Sequence, residues 1–170
     1  GDLPLAEARA ACLYRPPLDR LLPRFKFHRD LAAGRLLARL MAVALAPLAH
    51  AWPAPATLVP VPLHRARLRR RGYDQALELA RPVATTLGLP LQAGALVRVR
   101  HTDPQSTLDA DARRANLRDA FRVVPGVALP AHAVLVDDVM TTGATLHAAA
   151  DALRRAGVAR VDAWVCARVP

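Results

Sequence analysis

The segment 134–145 reads Val-Leu-Val-Asp-Asp-Val-Met-Thr-Thr-Gly-Ala-Thr and sets two adjacent carboxylates, Asp137 and Asp138, a few residues ahead of a glycine among hydroxyls. Two acids leaving a buried strand accept hydrogen bonds from a vicinal diol or hold a hydrated Mg²⁺, directly or through water, and without such partners they are unfavourable in an interior. Thr141, Thr142, Gly143, Ala144 and Thr145 stand where a loop enters a helix. That junction offers unpaired backbone N–H groups, hydroxyls and the positive end of the helix dipole to a phosphate. Gly143 lets the backbone approach such an anion with no side chain intervening. Each half alone also fits a plainer role, an ordinary turn for the acids and a helix N-cap for Thr141 or Thr142. Together they match the two ends of a ribose 5-phosphate, a motif reading that structural context must confirm.

The flanking pattern supplies elements to position them. Residues 133–136 are an apolar run expected to form a strand buried on both faces, ending at Asp137 and Asp138. A helix over residues 143–156 stopping at Gly157, and a further strand over 160–167, should follow. In open α/β sheets ligands bind beyond the carboxyl ends of strands, which is where the acids fall. Upstream, residues 57–61 read as a strand leading into an arginine-rich loop, and 73–87 as a helix that Pro82 should kink or divide. Residues 95–99 are β-like, the polar stretch 100–111 is a candidate mobile loop, and 112–120 should form a short helix. Nearer the N-terminus, residues 9–15 suggest a short strand. Leu37, Leu40, Met41, Ala44, Leu45 and Leu48 mark an amphipathic helix begun near Asp30, and a proline-rich connector spans 47–55. Strand, helix and strand alternate through the C-terminal two thirds, which implies an α/β fold with a parallel sheet, right-handed crossovers and helices on both faces.

At 170 residues the chain fits one domain, and a chain of this size buries roughly two thirds or more of its unfolded surface. Apolar residues make up 53% and aromatic residues only 4%, which predicts an aliphatic core. The net charge of +10 is almost wholly arginine, with Lys26 the only lysine among 24 basic residues. Such a balance serves solubility or attracts anions, whether nucleic acid, phosphorylated metabolites or acidic lipid. Cys12 and Cys166 form no CxxC pair, so neither a zinc site nor a disulfide framework is expected, and a reducing cytoplasm suits the chain. The longest unbroken apolar stretch, residues 40–49, is short for a bilayer span, so no transmembrane segment is expected.

The acid pair, spacer and Thr-Gly-x-Thr of residues 134–146 resemble the phosphoribosyl-pyrophosphate motif of type I phosphoribosyltransferases. Arg24-Phe-Lys-Phe, Val59-Pro-Val-Pro, Arg71-Gly-Tyr-Asp-Gln, Gln105 and Arg113-x-x-Asn116 occur in the order seen in the ComF family, a phosphoribosyltransferase-like group tied to bacterial DNA uptake. The resemblance covers nearly the whole chain and implies one domain over 1–170: a small N-terminal hood and helices over 1–50, and a core over 57–170. Two departures stand out. The family's four-cysteine zinc ribbon is not in this sequence, and Asp74 replaces its usual asparagine, adding a negative charge near the proposed phosphate region.

By that resemblance the loop containing Val61 and Pro62 holds a pyrophosphate. Arg65 and Arg71 are the arginines beside it nominated to pair with the anion, against a solvated basic helix face for the others. Gln105 would lie near the tip of a loop that closes over substrate, protecting an oxocarbenium-like transition state from water. Asp137 and Asp138 would serve the ribose hydroxyls and Mg²⁺, and the N-terminal hood would admit the acceptor. His64 and His147 lie near these segments, with core or surface roles expected for both. Two rivals to a phosphoribosyltransferase remain. One is a non-catalytic sensor of a nucleotide or its precursor; the other is a single-stranded-DNA-binding factor working with competence-machinery proteins, for which Tyr73 is a poor lone stacking platform.

Overall fold

The computed structural model of the chain describes residues 3–99, 117 and 119–170. Gln105, the loop 100–111, Arg113 to Asn116 and all but the end of the helix expected over 112–120 lie outside them. In chain order the elements are β1 (Ala8–Leu13), α1 (Leu18–His28), α2 (Leu31–Ala51), β2 (Thr57–Pro60), α3 (Arg65–Arg71) and α4 (Gln75–Leu87). They continue with β3 (Leu96–Arg98), β4 (Phe121–Val123), β5 (His132–Met140), α5 (Ala144–Arg155) and β6 (Arg160–Arg168).

Four strands form one parallel sheet in the order β1-β6-β5-β2. The two central strands are the apolar ones, as a sheet covered on both faces requires. On one face Val134, Val136 and Trp164 meet Leu37, Met41 and Leu45 of α2, Leu79 and Val83 of α4, and Leu22 and Phe25 of α1. On the other, Leu135, Val161, Ala163 and Val165 meet Leu146, Ala149, Ala150 and Leu153 of α5. The β3–β4 hairpin is antiparallel and joins this second layer through Leu96 and Phe121.

The N-terminal segment differs from the expected hood. β1 pairs in parallel with β6 from Ala8↔Ala163 to Leu13↔Arg168, so residues 8–13 are an edge of the main sheet. Pro47, expected to open the connector, and Pro82, expected to kink or divide its helix, both lie inside continuous helices, α2 and α4. Burial of Ala49 and Leu45 carries α2 through its proline, tertiary packing overriding a local penalty. At 21 residues α2 is long and apolar enough to cross a bilayer by length and composition, contrary to the estimate from the unbroken apolar run; here one side of it forms core against β6 and α4.

Candidate functional site

β5 was expected to end at the acids, yet it runs four residues further, to Met140, because β6 stays paired with it as far as Met140↔Arg168. β2 stops sooner. Its last pair is Pro60↔Val136, and the Val61 N–H then donates to the Val136 carbonyl at 2.9 Å. Pro62 has no N–H to continue the ladder. Among the described residues the segment 137–140 is therefore paired with β6 on one side and has no strand partner on the other. Val61 and Pro62 follow directly on this pairing, next to the strand segment that carries the acids.

Strand alternation alone would turn Asp137 and Asp138 to opposite faces, yet their carboxylates stay close enough to interact. Asp138 is only 5% exposed and lies on the α1 side, with Lys26 Nζ 3.7 Å from Oδ2. Its Oδ1 accepts the Val139 N–H at 2.7 Å, whereas Oδ2, though buried, has no hydrogen-bond partner. Asp137 Oδ1 accepts the Asp138 N–H at 2.9 Å. Burial first, then the neighbouring Asp138 charge, push the Asp137 carboxyl well above the usual carboxylate range. A paired, desolvated acid site of this kind is what a diol or a cation relieves.

The segment expected to meet a phosphate offers mainly backbone. Thr141 and Thr142 are exposed, and Thr142 Oγ1 accepts the Ala144 N–H at 3.3 Å. Gly143 is the N-cap of α5 at φ 83°, with no side chain to close over the first turn, and Ala144 and Thr145 open the helix. A Cβ at Gly143 would meet Met140 Sδ and His147 Cδ2 at 3.7 Å, ordinary contact, so the glycine is demanded by its backbone angle rather than by crowding. His147 lies beside this loop.

Of the arginines, Arg65 begins α3 and is exposed. Arg71 turns elsewhere: its Nη1 donates to Gln75 Oε1 at 2.7 Å and its guanidinium sits 5.5 Å from the Phe27 ring. His64 caps α3, Nδ1 accepting the Ala66 N–H, and Asp74 caps α4, accepting from Ala76 and Leu77. Asp74 is thus accounted for as a helix cap. Lys26 and Arg98 were not nominated from sequence. The first reaches Asp138 and the second feels the charge of Asp137, and only the folded arrangement of α1 and β3 around β5 brings them there.

A parallel sheet whose central strand β5 delivers two acids into a glycine-capped helix start defines a phosphoribosyltransferase-type protein, and the family model described as "Phosphoribosyl transferase domain" matches residues 74–170. The chain is 40% identical over 159 residues to Competence protein F of Haemophilus influenzae, covering 91% of this chain and 69% of that protein. It is likewise 40% identical over 158 residues to the DNA utilization protein YhgH of Salmonella typhi, and 37% identical over 163 residues to that of Escherichia coli K12, with the same coverage. The chain belongs to this ComF family of phosphoribosyltransferase-domain proteins. Similar solved structures include an adenine phosphoribosyltransferase from Leishmania tarentolae, with 19% identity, TM-score 0.47, and 81% of this chain and 61% of that one covered. Another is a Staphylococcus aureus hypoxanthine phosphoribosyltransferase, with 11% identity, TM-score 0.47, and coverage of 81% and 74%.

Proposed function

We propose that the chain binds phosphoribosyl pyrophosphate, or the ribose 5-phosphate part of a nucleotide, together with Mg²⁺, and works in the cytoplasm in the uptake and use of DNA. The observation carrying this is the overshoot of β5 past β2, which sets Asp137 and Asp138 between the Val61 turn and the Gly143 helix start. Asp137 and Asp138 hold the 2- and 3-hydroxyls. Residues 141–145 hold the 5-phosphate by backbone N–H groups and hydroxyls. Val61, Pro62 and Arg65 face the pyrophosphate, with Arg71 and Gln105 further members by resemblance.

The hard oxygen donors fit Mg²⁺. No group of three or more His, Cys, Asp or Glu side chains gathers among the described residues, which suits an ion held by one or two carboxylates and completed by substrate phosphates and water. When bound, Mg²⁺ neutralises charge on the pyrophosphate. The protein's own part in transfer is positioning and electrostatics: alignment of the ribose, stabilisation of positive charge near C1 by the acids, and exclusion of water.

Titration with phosphoribosyl pyrophosphate and Mg²⁺ tests the reading, with micromolar binding in the native protein expected to weaken at least tenfold in Asp137→Asn. No binding by the native protein ends it. Release of pyrophosphate across a panel of bases separates an enzyme from a sensor. A second reading, single-stranded DNA binding, is favoured by the arginines of α3 and the net charge of +10, and the relatives' names point the same way. Gel shifts at graded salt test it.

A further inference from the structure

One side of α2 belongs to the core, while the other carries apolar residues that the fold leaves uncovered. Val43 is 79% exposed and Leu36 47%, Pro47 is exposed and Leu40 half-buried. None of the four belongs to either hydrophobic cluster of the core. They are spaced four, three and four residues apart, which at about 100° per residue gathers them within roughly 60° on the helix surface. That spacing is the alternating a and d seam by which one helix receives another. Ala44 and Ala46 on either side of it are small enough for a second helix to approach to about 8–10 Å.

The charge beside the seam is one-sided. Arg35 and Arg39 lie along one flank, both exposed, and neither has an ion-pair partner among the described residues. Arg39 directly precedes Leu40, the position from which a side chain reaches the flank of a paired helix and decides which helix is accepted. An acid on that helix completes it. A second copy of α2 has none to offer, since Leu31 to Ala51 contain no aspartate or glutamate. A bilayer is also a poor match. The line of α2 farthest from its buried side runs through Ala32, Arg39, Val43 and His50, so an arginine and a histidine stand where an interfacial helix presents its apolar face.

We propose that the outer seam of α2 docks an amphipathic helix of a partner protein, with aliphatic residues at the same three- and four-residue spacing and an acidic flank against Arg35 and Arg39. The seam is on the side of α2 away from the sheet, so the proposal stands or falls independently of the phosphoribosyl reading.

Fluorescence anisotropy of a labelled synthetic peptide tests it on the full chain. The probe has about four heptads, with leucine at a and d and glutamate at e and g, where like charges keep it from pairing with itself; its counterpart carries lysine at e and g. At about 0.15 M salt, where distant charges are screened, the native protein should bind the acidic peptide at least tenfold more tightly than the basic one. Val43→Asp, at a position open to solvent, should melt with the native protein and bind the acidic peptide at least tenfold more weakly. Arg39→Glu should reverse the preference between the two peptides. Absence of acidic-peptide binding by the native protein overturns the proposal. So does binding that both variants leave unchanged, which is only the general attraction of a chain with net charge +10. Flotation with phosphatidylglycerol vesicles, or a dimer in sedimentation, that Val43→Asp abolishes also overturns it, assigning the seam to a bilayer or to a second copy.

Discussion

Asp137, a binding residue on the proposed reading, opposes the stability of the empty fold. Its carboxyl is held above its ordinary range by burial and by Asp138, so the native state retains the proton where the unfolded chain has released it. Stability therefore falls as pH rises from about 3.9 toward the folded value, and stays reduced above it. Asp137→Asn should accordingly melt higher than the native protein at pH 8, with the difference shrinking as pH is lowered, while binding of ribose 5-phosphate is lost. A lower melting temperature at pH 8 would show that the half-buried charge is compensated in the empty protein. Gly143 makes the complementary case. Alanine there must adopt φ 83°, a penalty of about 1–2 kcal/mol, but meets nothing closer than 3.7 Å. Gly143→Ala should therefore fold, melt a few degrees lower, and bind ribose 5-phosphate at least tenfold more weakly because a methyl group now stands at the helix start. Undiminished binding would remove the phosphate from this loop.

The elements that carry these residues are held by contacts at a distance from the site. α1 brings Lys26 to Asp138 because Phe25, 1% exposed, packs against Gly34 of α2 and sits edge-on to Tyr73 at 5.7 Å. A Cβ at Gly34 would lie 2.6 Å from Phe25 Cε2 and 2.8 Å from Cδ2. Alanine gains about 1 kcal/mol over glycine within a helix, but overpacking against the buried Phe25 ring costs about 1–3 kcal/mol. Gly34→Ala should be destabilised by up to about 2 kcal/mol, read as a lower urea midpoint with unchanged m-value. The sequence revealed the elements better than their ends. The apolar run 133–136 and the hydroxyl-glycine junction were legible because strand burial and helix entry are local. The extension of β5 to Met140 was not, since it depends on β6 outlasting β2, and neither was the place of β1 at the sheet edge. Lys26 escaped nomination because 111 residues of chain separate it from Asp137, and only folding closes that distance.

For the whole molecule, the net charge of +10 must be separated from the site, since any polyanion is drawn to such a surface. Tyr73 is 7% exposed and packed on Phe25, which takes it out of consideration as a stacking platform for bases. Binding of single-stranded DNA would then be mainly electrostatic, and the logarithm of its constant should fall with the logarithm of salt by about 0.7 for each phosphate neutralised. If four phosphates were neutralised, raising salt from about 50 to about 200 mM would weaken binding roughly fiftyfold. Replacing the exposed Arg65 and Arg69 of α3 with glutamine should flatten that slope by about 0.7 for each residue that contacts the strand. Phosphoribosyl pyrophosphate, on the proposed reading held by the backbone N–H groups at the start of α5, should behave differently. At a hundred times its dissociation constant it should stabilise the fold by about 2.7 kcal/mol, a rise of roughly 5–10 °C in Tm, and Gly143→Ala should lose that rise while retaining the DNA slope. Thermal melts and gel shifts on the same variants would thus divide the chain's two attractions for phosphate. Equal loss of both in Gly143→Ala would mean that DNA and sugar phosphate share the helix start of α5.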